Sequence, residues 1–214
     1  MANGNDLYAA AAVRDISPNE PTALYGYPHV ERISTGIHDP LLATVTVLRS
    51  GAMTLVLASV DVLMVEPQTA RRWRKAMARA AGCVEVGVLI SCTHTHSGPV
   101  TSKLIAWSGD PAVPGPDPAC LERIGHALVI ATAEAVESLM PALAAWATAD
   151  ATGVGGNRLG EDGVTDAECG VLALRRSDRR QPLAMAVVYG MHPTVLHEDS
   201  TLVSADFPGY TRSE

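Results

Sequence analysis

Residues 41–49 read LLATVTVLR and residues 53–60 read MTLVLASV, with Ser50-Gly51 closing the gap between them. Both runs are rich in β-branched and aliphatic side chains, and so short a polar gap suits an antiparallel hairpin. The hydrophobicity is near-continuous, which predicts burial on both faces. Beyond the hairpin, Glu66-Pro67 places proline at the first position of a helix, and Ala81-Gly82 supplies a glycine C-cap about four turns later. Residues 84–92 (VEVGVLISC) read as a further short strand. It runs straight into Thr93-His94-Thr95-His96-Ser97-Gly98-Pro99, too polar to continue a buried strand.

Upstream, residues 7–14 form an apolar strand bounded by Ser17-Pro18, and a loop rich in Pro, Gly and Tyr runs on to Pro40. Downstream, a proline-rich stretch (111–118) precedes a helix over 119–139, with Leu121, Ile124, Leu128, Ala131, Ala135 and Leu139 at helical spacing. Pro141 ends it. Strands are expected at 142–149, 168–175 and 183–190, then a polar segment from His192 to Tyr210. The order hairpin, helix, strand, helix, strands specifies an α/β fold, a mixed β-sheet with flanking helices. With 214 residues, residues 1–214 are expected to form a single domain.

A formal charge of -7 argues against nucleic acid or an anionic membrane as partner, and the basic run Arg71-Arg72-Trp73-Arg74-Lys75 is expected on the outer face of its helix. Aromatic residues make up only 4%, so the core is built from small aliphatic side chains. Cys83, Cys92, Cys120 and Cys169 form no CxxC pair and read as small hydrophobes in reducing conditions. The first six residues lack the basic and apolar regions of a leader, and no apolar run approaches the roughly 20 residues that span a bilayer. A soluble, cytoplasmic chain without a transmembrane segment is the expectation.

His94 and His96 are separated by one residue at a strand end, and period-2 geometry would put both imidazoles on one side, able to converge on a metal. The alternative is a polar loop whose histidines are merely hydrogen-bonded. His192 follows the apolar run AMAVVYGM and would join them if the strands are aligned neighbours, since α/β sites gather outside carboxyl ends of strands. Asp61 and Asp206 are candidate carboxylates for orienting a ligating histidine, or else caps of a turn or helix. The motif around Asp206, Ser204-Ala205-Asp206-Phe207-Pro208-Gly209, favours function. Arg158, after a glycine-rich loop, could polarise a carbonyl or hold an oxyanion, or be an exposed loop arginine. His38 reads as a turn histidine, His126 as helix packing, and His29 and His197 belong to no constellation. Gly153-Val154-Gly155-Gly156 opens no clear helix and is a poor nucleotide fingerprint.

Taken in order, Asp15-Ile16-Ser17-Pro18, Gly36-Ile37-His38-Asp39-Pro40-Leu41, Asp61, the THTHSGP block, Asn157-Arg158, His192-Pro193-Thr194 and Ser204 through Tyr210 resemble the neutral/alkaline non-lysosomal ceramidases and their bacterial relatives. The match runs along nearly the whole chain and covers the first part of that family's catalytic domain. The resemblance implies a zinc-dependent hydrolase that cleaves the N-acyl bond of a ceramide-like lipid or other small amide substrate. Zn2+ would be held by His94 and His192, with His96 touching substrate or serving as the alternative ligand. Arg158 would fall on the family's substrate-binding arginine, and Asp206 would join His96 and Arg158 in the catalytic set. The family's serine and its Glu and Tyr ligands lie beyond Glu214, so a C-terminal half or a second chain would complete the site. After THTHSGP, Val100-Thr101-Ser102 replaces the family's glycine-rich continuation, which widens the expected substrates to other amides or esters. The alternative is a non-catalytic metal-binding module, or an inactive fragment of such a hydrolase.

Overall fold

The computed structural model describes residues 6–103, 109–160, 162–179 and 181–214. Of the first six residues, on which the expectation of no leader rests, all but Asp6 lie outside the described residues. Strand β1 (Leu7–Asp15) is followed by the long loop and by a two-residue strand β2 (Gly36–Ile37). The hairpin forms as β3 (Leu42–Ser50) and β4 (Met53–Val60), antiparallel from Ala43↔Val60 to Ser50↔Met53. Helix α1 (Pro67–Ala81) starts on its proline, and Gly82 closes it in the left-handed conformation (φ 64°), its N–H reaching the Arg79 carbonyl. A 3-10 turn at Glu85–Gly87 occupies what the sequence suggested was strand, leaving β5 as Val88–Cys92, parallel to β4.

Helix α2 (Pro118–Glu137) is capped by the Asp117 carboxylate, which accepts the N–H groups of Ala119 and Cys120 at 3.0 and 3.2 Å. Strands β6 (Met140–Asp150), β7 (Glu168–Arg176) and β8 (Pro182–Val188) form an antiparallel wing, and β9 (Leu202–Val203) pairs in parallel with β2. Helix α3 (Phe207–Ser213) follows.

The strands form a seven-stranded mixed sheet, β5-β4-β3-β1-β6-β7-β8. Both long helices cover one face. Val45, Val47, Val56, Ala58 and Val60 pack there with Met77 and Ala81 of α1 and with Ile124, Leu128, Ala131 and Ala135 of α2. The helices meet where Gly125 lies under Trp73; a Cβ at Gly125 would sit 2.5 Å from the indole nitrogen. Arg71, Arg72 and Lys75 face solvent as expected, whereas Arg74 folds back to the carbonyls of Glu85 and Val88.

Burial of the hairpin on both faces is not observed. Along β3 and β4 buried and part-buried residues alternate, and Met53 and Leu55 are 67% and 42% exposed. The helices protect one face only. The other is covered in part because β1 and β6 pair at just Tyr8↔Pro141 and Ala9↔Met140. The sheet bends there and the wing folds back, so that Ala142, Leu174, Leu183 and Ala184 pack on Ala9 and Leu48. His126 is exposed on α2, not packed. The four cysteines are free, and among the described residues no helix is long and apolar enough to cross a membrane.

Candidate metal centre

The chain leaves β5 at Cys92, and Thr93 and His94 bond back to the carbonyls of Val60 and Val62, so the motif stays beside the end of β4. His94 takes a positive φ of 70°, which ends the pleat. The imidazoles of His94 and His96 therefore come together through a turn and not through strand alternation, with ring centroids 5.3 Å apart. His192 arrives by a route the sequence did not suggest. Its strand, β8, lies at the opposite sheet edge from β5; the folded-back wing brings it over. Its ring centroid lies 4.9 Å from that of His94 and 4.7 Å from that of His96, and the two Nε2 atoms of His96 and His192 are 2.7 Å apart.

One ring nitrogen from each histidine falls within 4.8 Å of the others. Nδ1 of His94 bonds the Leu63 carbonyl at 2.8 Å, which fixes Nδ1 as the protonated atom and leaves the Nε2 lone pair for the cluster. A guanidinium of Arg158 lies 3.4 Å from Nδ1 of His192. Arginine only donates, so Nδ1 is then the acceptor and Nε2 carries the hydrogen, pointed at His96. For His192 to ligate through Nε2 the ring must change tautomer and Arg158 must give up this contact, becoming available to a ligand. Three imidazoles with converging nitrogens are a donor set suited to zinc.

Electrostatics favours the neutral form of His96 and His192. Burial is the first cause pulling the His96 pKa down to about 4, followed by the charges of His192, His94 and Arg32. Burial also lowers that of His192, with His94 and Arg158 adding to it and Asp206 opposing. In the metal-free chain the unfolded state thus binds more protons than the folded state between pH 6.5 and about 4. Stability is fully present above 6.5 and is lost as pH falls through that window. The urea midpoint is expected to be lower at pH 5 than at pH 7, with His96→Gln flattening the dependence.

Asp206 stands one step back from the histidines. It is 1% exposed, and its carboxylate accepts the N–H groups of Leu196 (2.8 Å) and Phe207 (2.7 Å), capping α3 and anchoring the loop that follows His192. Among the described residues it makes no hydrogen bond to a histidine. Asp61 is likewise used elsewhere: Arg212 meets both its oxygens at 2.8 and 2.6 Å, and the Leu42 N–H adds a third bond. His38 pairs with Asp39 at 2.9 Å and lies by Tyr210, outside the cluster.

Three residues of the long Pro/Gly/Tyr loop were missed. Gly26, at φ +133°, lies flat against His96; a Cβ there would sit 2.5 Å from the ring Cγ. Gly26→Ala is expected to cost about 1–3 kcal/mol from backbone strain and to displace His96, lowering metal affinity; calorimetric titration with zinc checks this. Tyr27 contacts the His96 ring, and Arg32, 3% exposed, donates to the carbonyls of His96, Tyr25 and Ser200. The tight approach to His96 explains a glycine before Tyr27, but nothing in the spacing announces it.

No family model and no curated protein matches the sequence. The fold is similar to that of a neutral ceramidase from Pseudomonas aeruginosa, with a TM-score of 0.84 and 21% identity over 97% of this chain and 35% of that chain. It is also similar to a ceramidase complexed with C2, with a TM-score of 0.80 and 21% identity over 96% of this chain and 34% of that one. The chain thus spans about a third of the length of the structures it matches. The fold expected from the ordered motifs is the fold found.

Proposed function

From a fold shared with neutral ceramidases, we propose that this chain carries the histidine-rich part of a zinc-dependent hydrolase acting on linear amide bonds. The observation that carries the reading is the convergence of His94, His96 and His192 from two separate parts of the sheet. His94 and His192 would hold the metal. The chemistry a bound zinc supplies is polarisation of an amide carbonyl and activation of water near neutral pH.

His96, neutral and beside the other two rings, contacts the substrate and can accept a proton at Nε2. Arg158, exposed at the rim, takes the carbonyl oxygen as negative charge develops on it. Asp206 acts by holding the loop after His192. The substrate class is an N-acyl compound, a ceramide-like lipid or another small amide. Among the described residues the cluster contains imidazoles and no carboxylate, which favours further ligands from a second chain or a C-terminal half, and equally supports a metal-binding module without turnover. Mixing the zinc-loaded chain with a polypeptide bearing the rest of a ceramidase-like catalytic domain decides between them. Release of fatty acid from an N-acyl lipid or a short N-acyl amide is expected; no cleavage by any combination of chain and metal would leave only the binding module.

A further inference from the structure

The Tyr27 ring meets His96 edge-on, with centroids 5.1 Å apart at 61°, and lies 5.4 Å from the His197 ring. The Arg32 guanidinium sits 4.8 Å from the ring centroid, in cation–π contact. Arg32 also donates to the His96 backbone carbonyl. His96 is thus held twice by one loop, at its carbonyl through Arg32 and at its imidazole through Tyr27, with Gly26 behind the ring. The Tyr27 hydroxyl is buried and, among the described residues, has no hydrogen-bond partner. The contacts Tyr27 makes among the described residues are those of its ring.

We infer that Tyr27 is a positioning residue for the metal centre: its ring edge fixes the rotamer of the His96 imidazole, so that Nε2 is presented to His94 and His192. An imidazole has two broad ring orientations about its outer torsion, and an aromatic edge on one side selects between them. The metal arm of the test rests on the zinc-site reading above; the metal-free arm does not.

The test compares wild type, Tyr27→Phe and Tyr27→Leu, with Tyr27→Met as the gentler replacement should Leu not fold. In the metal-free protein, side-chain NMR of labelled histidines is expected to give one sharp His96 ring signal in wild type and Tyr27→Phe. In Tyr27→Leu the signal is expected to be shifted and broadened by rotamer exchange. In the metal arm, cobalt(II) is titrated and its visible absorption recorded. Tyr27→Phe should keep the wild-type affinity and spectrum, while Tyr27→Leu should bind about tenfold more weakly with an altered spectrum, the scale of losing a group that orients a ligand. A folded Tyr27→Leu protein with an unchanged His96 signal and cobalt spectrum would overturn the inference. So would a Tyr27→Phe protein as impaired as Tyr27→Leu, because the hydroxyl would then be what matters. A wild type that binds no cobalt sinks the zinc reading alone, and the NMR comparison still decides the role of Tyr27.

Discussion

Replacing His94 and His192 together by alanine is expected to strip the metal from the chain. Wild type purified without chelator should carry close to one zinc per molecule by mass spectrometry, and the double variant none. The reason is geometric: His94 and His192 lie in different parts of the fold, and one ring nitrogen of each converges with one of His96. Removing both leaves one imidazole, and a single neutral nitrogen does not retain zinc against water. The loss should exceed about a hundredfold in affinity, since disturbing only the groups that orient ligands already costs 10–100-fold. Equal zinc in both proteins would place the metal elsewhere.

Arg212→Ala is expected to give the largest loss of stability. Asp61 is 0% exposed at the end of β4 and takes both guanidinium nitrogens of Arg212. Without the arginine, a buried carboxylate keeps, among the described residues, only the Leu42 N–H as partner. Breaking a fully buried pair from one side costs about 3–5 kcal/mol. Arg212 is itself partly exposed, so its removal is expected at the low end, about 3 kcal/mol, on the order of 10 °C in melting temperature for a chain of this size. The replacement of both partners by leucine should recover much of the loss, because burying an uncompensated charge is what costs. Thermal unfolding of the single and double variants reads the difference directly.

The hairpin and the two long helices were legible because their signals are local. Pro67 and Gly82 bracket α1 by backbone preference, and the apolar spacing from Leu121 to Ala135 marks α2, whose Asp117 cap the sequence reading did not single out. The short helix α3 was not, since Phe207-Pro208-Gly209 reads as a loop until Asp206 is seen capping it. The three histidines were found for a reason only half right. Their residue types suit a metal, but strand alternation does not bring them together: a positive φ at His94 does so on one side, and a bend between β1 and β6 on the other. That bend depends on which strand stops pairing after two residues, a property of packing and not of periodicity. Asp61 shows the same limit, because its partner Arg212 lies 151 positions away. Tyr27 and Arg32 were hidden in a loop whose composition announced a connection and nothing of contact.

The two-residue seam between β1 and β6 also sets the order in which this molecule can assemble. His94 and His96 ride on the β3–β5 side, while Arg158 and His192 ride on the wing, and His96 and His192 are 96 positions apart. Closing so long a segment is entropically costly and belongs late in folding. The hairpin and α1, made of contacts near in sequence, can form without it. A nascent chain therefore acquires a stable sheet before it acquires a binding centre. Any ion gripped by both sides would act as a clasp, slowing the wing's departure more than it hastens its arrival.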